Sequence, residues 1–136
     1  MKTFRFFTML SLALLIITAT AMAQAPEKIT VHAPFDFTVA NKTLPAGNYI
    51  IRSLSPSRLL IRSEDGHEAV IASVFAVQAK KTPTEACLIF TRYGDQYFLY
   101  QMFVPGTDTG RELPRSHVEV QIAKTVTPVL VSVIGH

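Results

Sequence analysis

From residue 35 to its end the sequence is a series of short runs rich in Val, Ile, Phe and Tyr, interrupted at regular intervals by turn residues. That spacing predicts strands rather than helices. The expected strands are FDFTV (35–39), NYIIRSL (48–54), RLLIR (58–62), HEAVIASVFAVQA (67–79), ACLIFTRY (86–93), QYFLYQMFV (96–104) and PVLVSVI (128–134). Between them, Leu44-Pro45-Ala46-Gly47 and Ser55-Pro56-Ser57 reverse the chain, with Pro presetting φ. Asp65-Gly66 fits a type I′ hairpin, in which both central residues take positive φ, and Gly94-Asp95 fits a type II′ turn with Gly first. Four sequential reversals imply an antiparallel meander. The expected fold class is therefore all-β, a small barrel or barrel-like sandwich.

The segment 105–116 breaks this pattern. Pro105-Gly106 ends a strand, Thr107 to Gly110 are turn formers, and Ser116 with Glu119 three residues later has the spacing of a helix capping box. The segment reads as a connection into one short C-terminal helix over residues 116–125, which would lay Val118, Ile122 and Val126 along one stripe. Alternating β-branched Val118, Val120 and Ile122 support a strand as the competing reading.

Two of the strands are apolar on both faces. In residues 96–104 one face carries Tyr97, Leu99, Gln101 and Phe103 and the other Phe98, Tyr100, Met102 and Val104; residues 70–77 show the same excess. A half-solvated antiparallel strand alternates cleanly instead. The second face needs a cover, and the helix, a second subunit or an apolar ligand would each supply one. A ligand cavity would be enclosed by Ile51, Phe75, Leu99 and Phe103.

The N-terminus belongs to a different class of sequence. Lys2 and Arg5 precede the uncharged run FFTMLSLALLIITATA, which ends in small residues and has the form of a secretory signal peptide. Cleavage is expected after Ala23, leaving residues 24–136 as one β-rich domain of periplasmic or extracellular location. A retained membrane anchor is the alternative, since the run approaches the length of a bilayer span. Removing Lys2 and Arg5 from the formal charge of +3 leaves +1, so the mature chain has no basic surplus for nucleic acid. Cys87 is the sole cysteine, which excludes an intramolecular disulfide. Its neighbours Ala86, Leu88, Ile89 and Phe90 offer no cation to activate a thiolate.

Chemistry is sparse. His32, His67, His117 and His136 show no metal-ligand spacing, and no nucleophile elbow, P-loop or dinucleotide fingerprint occurs. No cofactor or metal is expected, and no catalytic residue is assigned. Arg92, Asp95, Asp108 and Arg111 form the one charged set that could converge, at one end of the sheet, as a polar recognition cluster or, in the enzymatic alternative, a hydrolase-like site.

The blocks PFDFTVANKTLPAGNYIIRSLS, LLIRSEDGHEA, TRYGDQYFL and PGTDTGRELPRS resemble, in order, those of a family of small secreted proteins found in multiple copies in environmental Gram-negative bacteria. The resemblance implies an exported, β-rich domain without an assigned activity. Its marker positions would be Pro34, Phe35 and Phe37; Leu44, Pro45, Gly47 and Tyr49; Arg92, Tyr93, Gly94 and Asp95; and Leu113, Pro114 and Ser116. Together these readings point to a non-enzymatic exported protein that binds an apolar small molecule or lipid. The alternative is an envelope protein acting through a homo-oligomer or partner interface.

Overall fold

The computed structural model describes residues 28–136; the expected signal peptide and the cleavage point after Ala23 lie outside the described residues. Along the chain run β1 (Lys28–Ala33), β2 (Phe37–Val39), β3 (Lys42–Leu44), β4 (Gly47–Ser55), β5 (Arg58–Ser63), β6 (Ala69–Ser73) and β7 (Phe75–Gln78). They are followed by β8 (Ala86–Tyr93), β9 (Gln96–Phe103), β10 (Thr109–Glu112), helix α1 (His117–Ala123) and β11 (Val129–Gly135). The all-β class with one short helix is thus the observed one, and the sheet closes almost completely into a barrel.

Neighbouring strands follow the order β3-β2-β9-β8-β11-β1-β4-β5-β6, with β10 joining β9 to β7. Pairing is antiparallel except at Thr38↔Phe98, where β2 runs parallel to β9. The circuit is completed by residues 69–78, a strand that changes neighbours at Val74. Its first part pairs with β5 and its second with β10. The Val74 N–H donates to the Ser57 carbonyl at 2.9 Å, holding the bend against the β4–β5 turn.

Alternation does what the period-2 pattern requires. In β1 the buried set is Ile29, Val31 and Ala33, and in β5 it is Leu59, Ile61 and Ser63. These fill the interior together with Tyr49, Phe37, Phe90, Leu44, Ile51 and Leu88, all fully buried. Phe37 meets Tyr49 and Phe90 edge-on at 5.1 and 5.4 Å between ring centroids, and Phe35 stacks on Tyr97 at 3.7 Å. The interior is a packed aromatic and aliphatic core.

Several local expectations are realised. Gly94-Asp95 joins paired Tyr93 and Gln96, with positive φ (63°) at Gly94 alone, as a II′ turn requires. Ser55↔Arg58 brackets the Pro56-Ser57 reversal, with Leu54 as an extra, bulged residue of β4. Others are corrected. Gly66 takes φ of 79° but Asp65 does not take positive φ, so the β5–β6 loop is not type I′. It is a four-residue loop closed by Ser63 N–H to Glu68 O (2.8 Å) and Gly66 N–H to Ser63 O (3.0 Å). The I′ signature falls instead on Ala40 and Asn41, whose φ values of 49° and 67° close the β2–β3 hairpin.

Four residues of the connection read over residues 105–116, Thr109–Glu112, form a strand. β10 pairs with Phe75 to Gln78 on one side and with Gln101 and Met102 on the other, completing the barrel wall. Helix α1 is present and its cap is the expected one: the Ser116 side chain accepts from the Glu119 N–H at 3.2 Å. Its buried face shares only Ile122 with the expected stripe. Val118 and Val126 are exposed, while Glu119, with half-buried Ile122 and Ala123, turns to the barrel.

Candidate functional site

The four residues expected to enclose a ligand do not share a face. Ile51 and Leu99 are core side chains, packed among Tyr49, Phe37 and Phe90. Phe103 is buried against β10, where its ring occupies the space that a side chain on Gly110 would need. Phe75 points outward and is 47% exposed. β9 does not keep its two expected faces: the ladder with β8 skips Tyr100, so Leu99 and Met102 both enter the core. Phe98 is buried and borders one crevice with Leu113, Pro114, Ser116 and Glu119.

The expected polar cluster is also divided. Arg92 and Asp95 sit at the β8–β9 turn, whereas Asp108 follows the far end of β9, roughly eight residues or about 25 Å along the strand direction. Asp108 fastens the β9–β10 loop to the end of β7: its carboxylate accepts from Gln78 Nε2 at 3.0 Å and its carbonyl from the Ala79 N–H at 2.6 Å. Arg111 is half-buried on β10 between Ala76 and Met102.

Sequence reasoning did not single out Glu119 as a buried group. Only 5% exposed, it accepts from Thr91 Oγ1 at 2.7 Å and Tyr93 Oη at 3.2 Å on the outer face of β8. Burial first, and then the Glu119 carboxylate, push the Tyr93 phenol above its usual range. Tyr100 is raised as well, by burial and then by its bond with Glu112. With both donors protonated, the arrangement is a structural tie.

Two recesses mark the surface. One, of about 370 Å³, lies over Tyr49 and is bordered by Glu64, Asp65 and Glu68. Burial first, then Glu68, Asp65 and Asp36, raises the Tyr49 phenol, which donates to the Pro45 carbonyl. Asp65 is organised by its loop, accepting from Ser63 Oγ at 2.6 Å and the His67 N–H at 2.9 Å, and those bonds lower its pKa. The second recess, of about 320 Å³, is bounded by Ala40 and Asn41, by Ile71 to Ser73 of β6, and by residues 113–117.

Among the described residues no group of three or more His, Cys, Asp or Glu could hold a metal ion. His32 Nδ1 is bonded to Asn48 Oδ1 at 2.8 Å. Cys87 is half-buried and burial raises its thiol pKa, the opposite of an activated nucleophile. The outside of the barrel is apolar in places: Leu130 and Ile134 of β11 are 62% and 51% exposed, beside Ile89 and Cys87 of β8 on the same face. No helix among the described residues is long and apolar enough to cross a membrane. Compared with known proteins, the chain is matched by no family model, no curated protein and no solved structure.

Proposed function

We propose that this chain is an exported, non-enzymatic interaction module that acts through the outside of its barrel, in keeping with the envelope-partner alternative rather than the carriage of an apolar ligand inside. One observation carries the reading: large aromatic and aliphatic side chains fill the interior while Ile71, Phe75, Leu130 and Ile134 stand on the exterior. A carrier needs the reverse, an apolar cavity with few convergent polar groups. Exposed apolar side chains, here in two places on the barrel, β6–β7 and β11, are the surface that a protein partner covers.

The reading is tested on protein purified from its own host. Native mass spectrometry should find the chain without stoichiometric lipid, and crosslinking in the intact envelope should capture a protein through Leu130 or Phe75 positions carrying a photoreactive side chain. A lipid adduct that survives desalting, with no protein crosslink, would overturn it.

A further inference from the structure

Strand β6 pairs with β5 on one edge only. In an antiparallel ladder successive residues point their N–H and C=O groups alternately to the two sides. Val74 bonds toward the β4–β5 turn, through Ser57 O, so Val70 and Ala72 face β5 with it. Ala69, Ile71 and Ser73 therefore face the other way. The Ala69 carbonyl does so visibly, accepting from Lys42 Nζ at 3.2 Å, while the same ammonium pairs with Glu68 at 3.2 Å. Such a lysine is a common guard on a sheet edge. The guard stops at Ala69, and Ile71 and Ser73 open onto the 320 Å³ recess.

The recess lies where β10 would have continued. Its register with β7, Glu112↔Phe75, would carry Pro114 to a place opposite Ser73. Proline has no N–H to donate there. Leu113 still follows the β9 ladder, its N–H donating to the Tyr100 carbonyl at 2.8 Å, and three residues later Ser116 caps the helix. The result is a slot with the backbone edge of Ile71 and Ser73 as one wall and residues 113–117 as another.

We infer that this slot takes an extended peptide from a partner, added as a strand to β6 and bearing an acidic side chain toward Arg115; the inference rests on the interaction-module reading above. Only another extended backbone offers N–H and C=O groups at the repeat of Ile71 and Ser73. The charge follows from the lining: Arg115 is exposed there, no carboxylate lines the recess, and the nearby Glu68 is already matched by Lys42. A second copy of β6 fits less well. Both edges are recessed behind residues 113–117, and two-fold pairing would bring like charges, Arg115 and Lys42, from both chains to one seam.

The probe is a capped hexapeptide alternating Thr and Val with one Glu, compared with the same peptide carrying Lys in place of Glu and with one N-methylated at alternate amides. Binding is followed by fluorescence anisotropy and by amide exchange of the full mature chain. The Glu peptide should bind and slow exchange at Ile71 and Ser73; the Lys peptide should bind about tenfold more weakly, as a like-charge contact demands. The N-methylated peptide should not bind. Ser73→Pro, which removes an edge donor that makes no bond to β5, should lose binding with its melting temperature kept. Equal binding of the N-methylated peptide, protection elsewhere on the barrel, or a dimer protected at Ile71 and Ser73 would overturn the inference. So would silence of all three peptides. If envelope crosslinking through Leu130 still succeeds in that case, the interaction reading stands and the slot alone is lost.

Discussion

Glu119 Oε1 lies 2.7 Å from Thr91 Oγ1, joining the first turn of α1 to the outer face of β8. In a capping box the third helical residue reaches back to the cap's own N–H. Here the Ser116 half of that exchange is made, and the glutamate is committed to Thr91 and Tyr93 instead. A helix of seven residues is far below the roughly 12 to 15 needed for stability alone. Its position is set by this polar anchor and by the cap.

Removing either support should loosen the helix. Glu119→Ala leaves the Tyr93 hydroxyl without its acceptor and Thr91 with only the distant Phe98 carbonyl, and should cost about 1–3 kcal/mol. Ser116→Ala should cost about 0.5–2 kcal/mol. In a double-mutant cycle with Thr91→Val, chemical denaturation should show Glu119→Ala coupled by about 0.5–3 kcal/mol. Additive effects would mean the contact carries no stability.

Gly110 and Gly66 should both resist substitution, for different reasons. A Cβ on Gly110 would overlap the Phe103 ring and approach the Met102 carbonyl to 2.9 Å, so Gly110→Ala should cost about 1–3 kcal/mol through overpacking. The companion Gly110→Ala/Phe103→Leu variant should recover part of that loss.

At Gly66 nothing lies within 4 Å of an added Cβ, and the penalty comes from φ of 79°. Gly66→Val should cost about 1–3 kcal/mol, and Gly66→Asn clearly less, because Asn tolerates the left-handed region. Equal melting of the two variants would place the cause elsewhere.

Stability should fall at both extremes of pH, with separable origins. The folded-state pKa of Asp65 is lowered, so its contribution is present above the unfolded carboxylate value and is lost as pH falls through the folded one. Asp65→Asn should flatten that acid limb. Tyr49, Tyr93 and Tyr100 are raised from 10.0, so the folded state holds these protons more tightly, and the stability they add is lost as pH rises beyond about 10. Phenolate absorbance and melting temperature, followed together, should show ionisation of these side chains coinciding with unfolding.

Cys87 should alkylate more slowly than a free thiol at neutral pH, because burial raises its pKa and reduces the thiolate fraction. Thiol labelling in native buffer and again in denaturant measures the ratio. Rapid native labelling would contradict the inert reading.

Legibility in the sequence followed the range of the interaction. Gly94-Asp95 and Pro56-Ser57 announce their hairpins because the turn chemistry is local. Ala40-Asn41 hides its hairpin, since Ala is a poor signal for φ of 49°. β10 escaped because TGRE reads as turn residues, and its four residues become a strand only between β7 and β9, distant partners that no local period reveals. The expected helix stripe runs through Val118, Ile122 and Val126, whereas the polar contact of Glu119 with Thr91 rotates the buried face so that only Ile122 of the three faces the barrel. Of the binding candidates, Ile51, Leu99 and Phe103 were legible as apolar and buried, while the outward turn of Phe75 follows from the change of partner at Val74. The slot beside Ser73 depends on the register that sets Pro114 against it, a relation between segments some forty residues apart.

β11 lies between β8 and β1, bonded to both, although it is formed by residues 129–135. Without it the sheet is two pieces, β1-β4-β5-β6 and β3-β2-β9-β8, joined through the crossing strand and β10. Closing the wall therefore joins residues 28–33 to residues 129–135. Contacts of such long sequence separation form slowly. The barrel wall is complete only when these two distant segments, β1 and β11, have met.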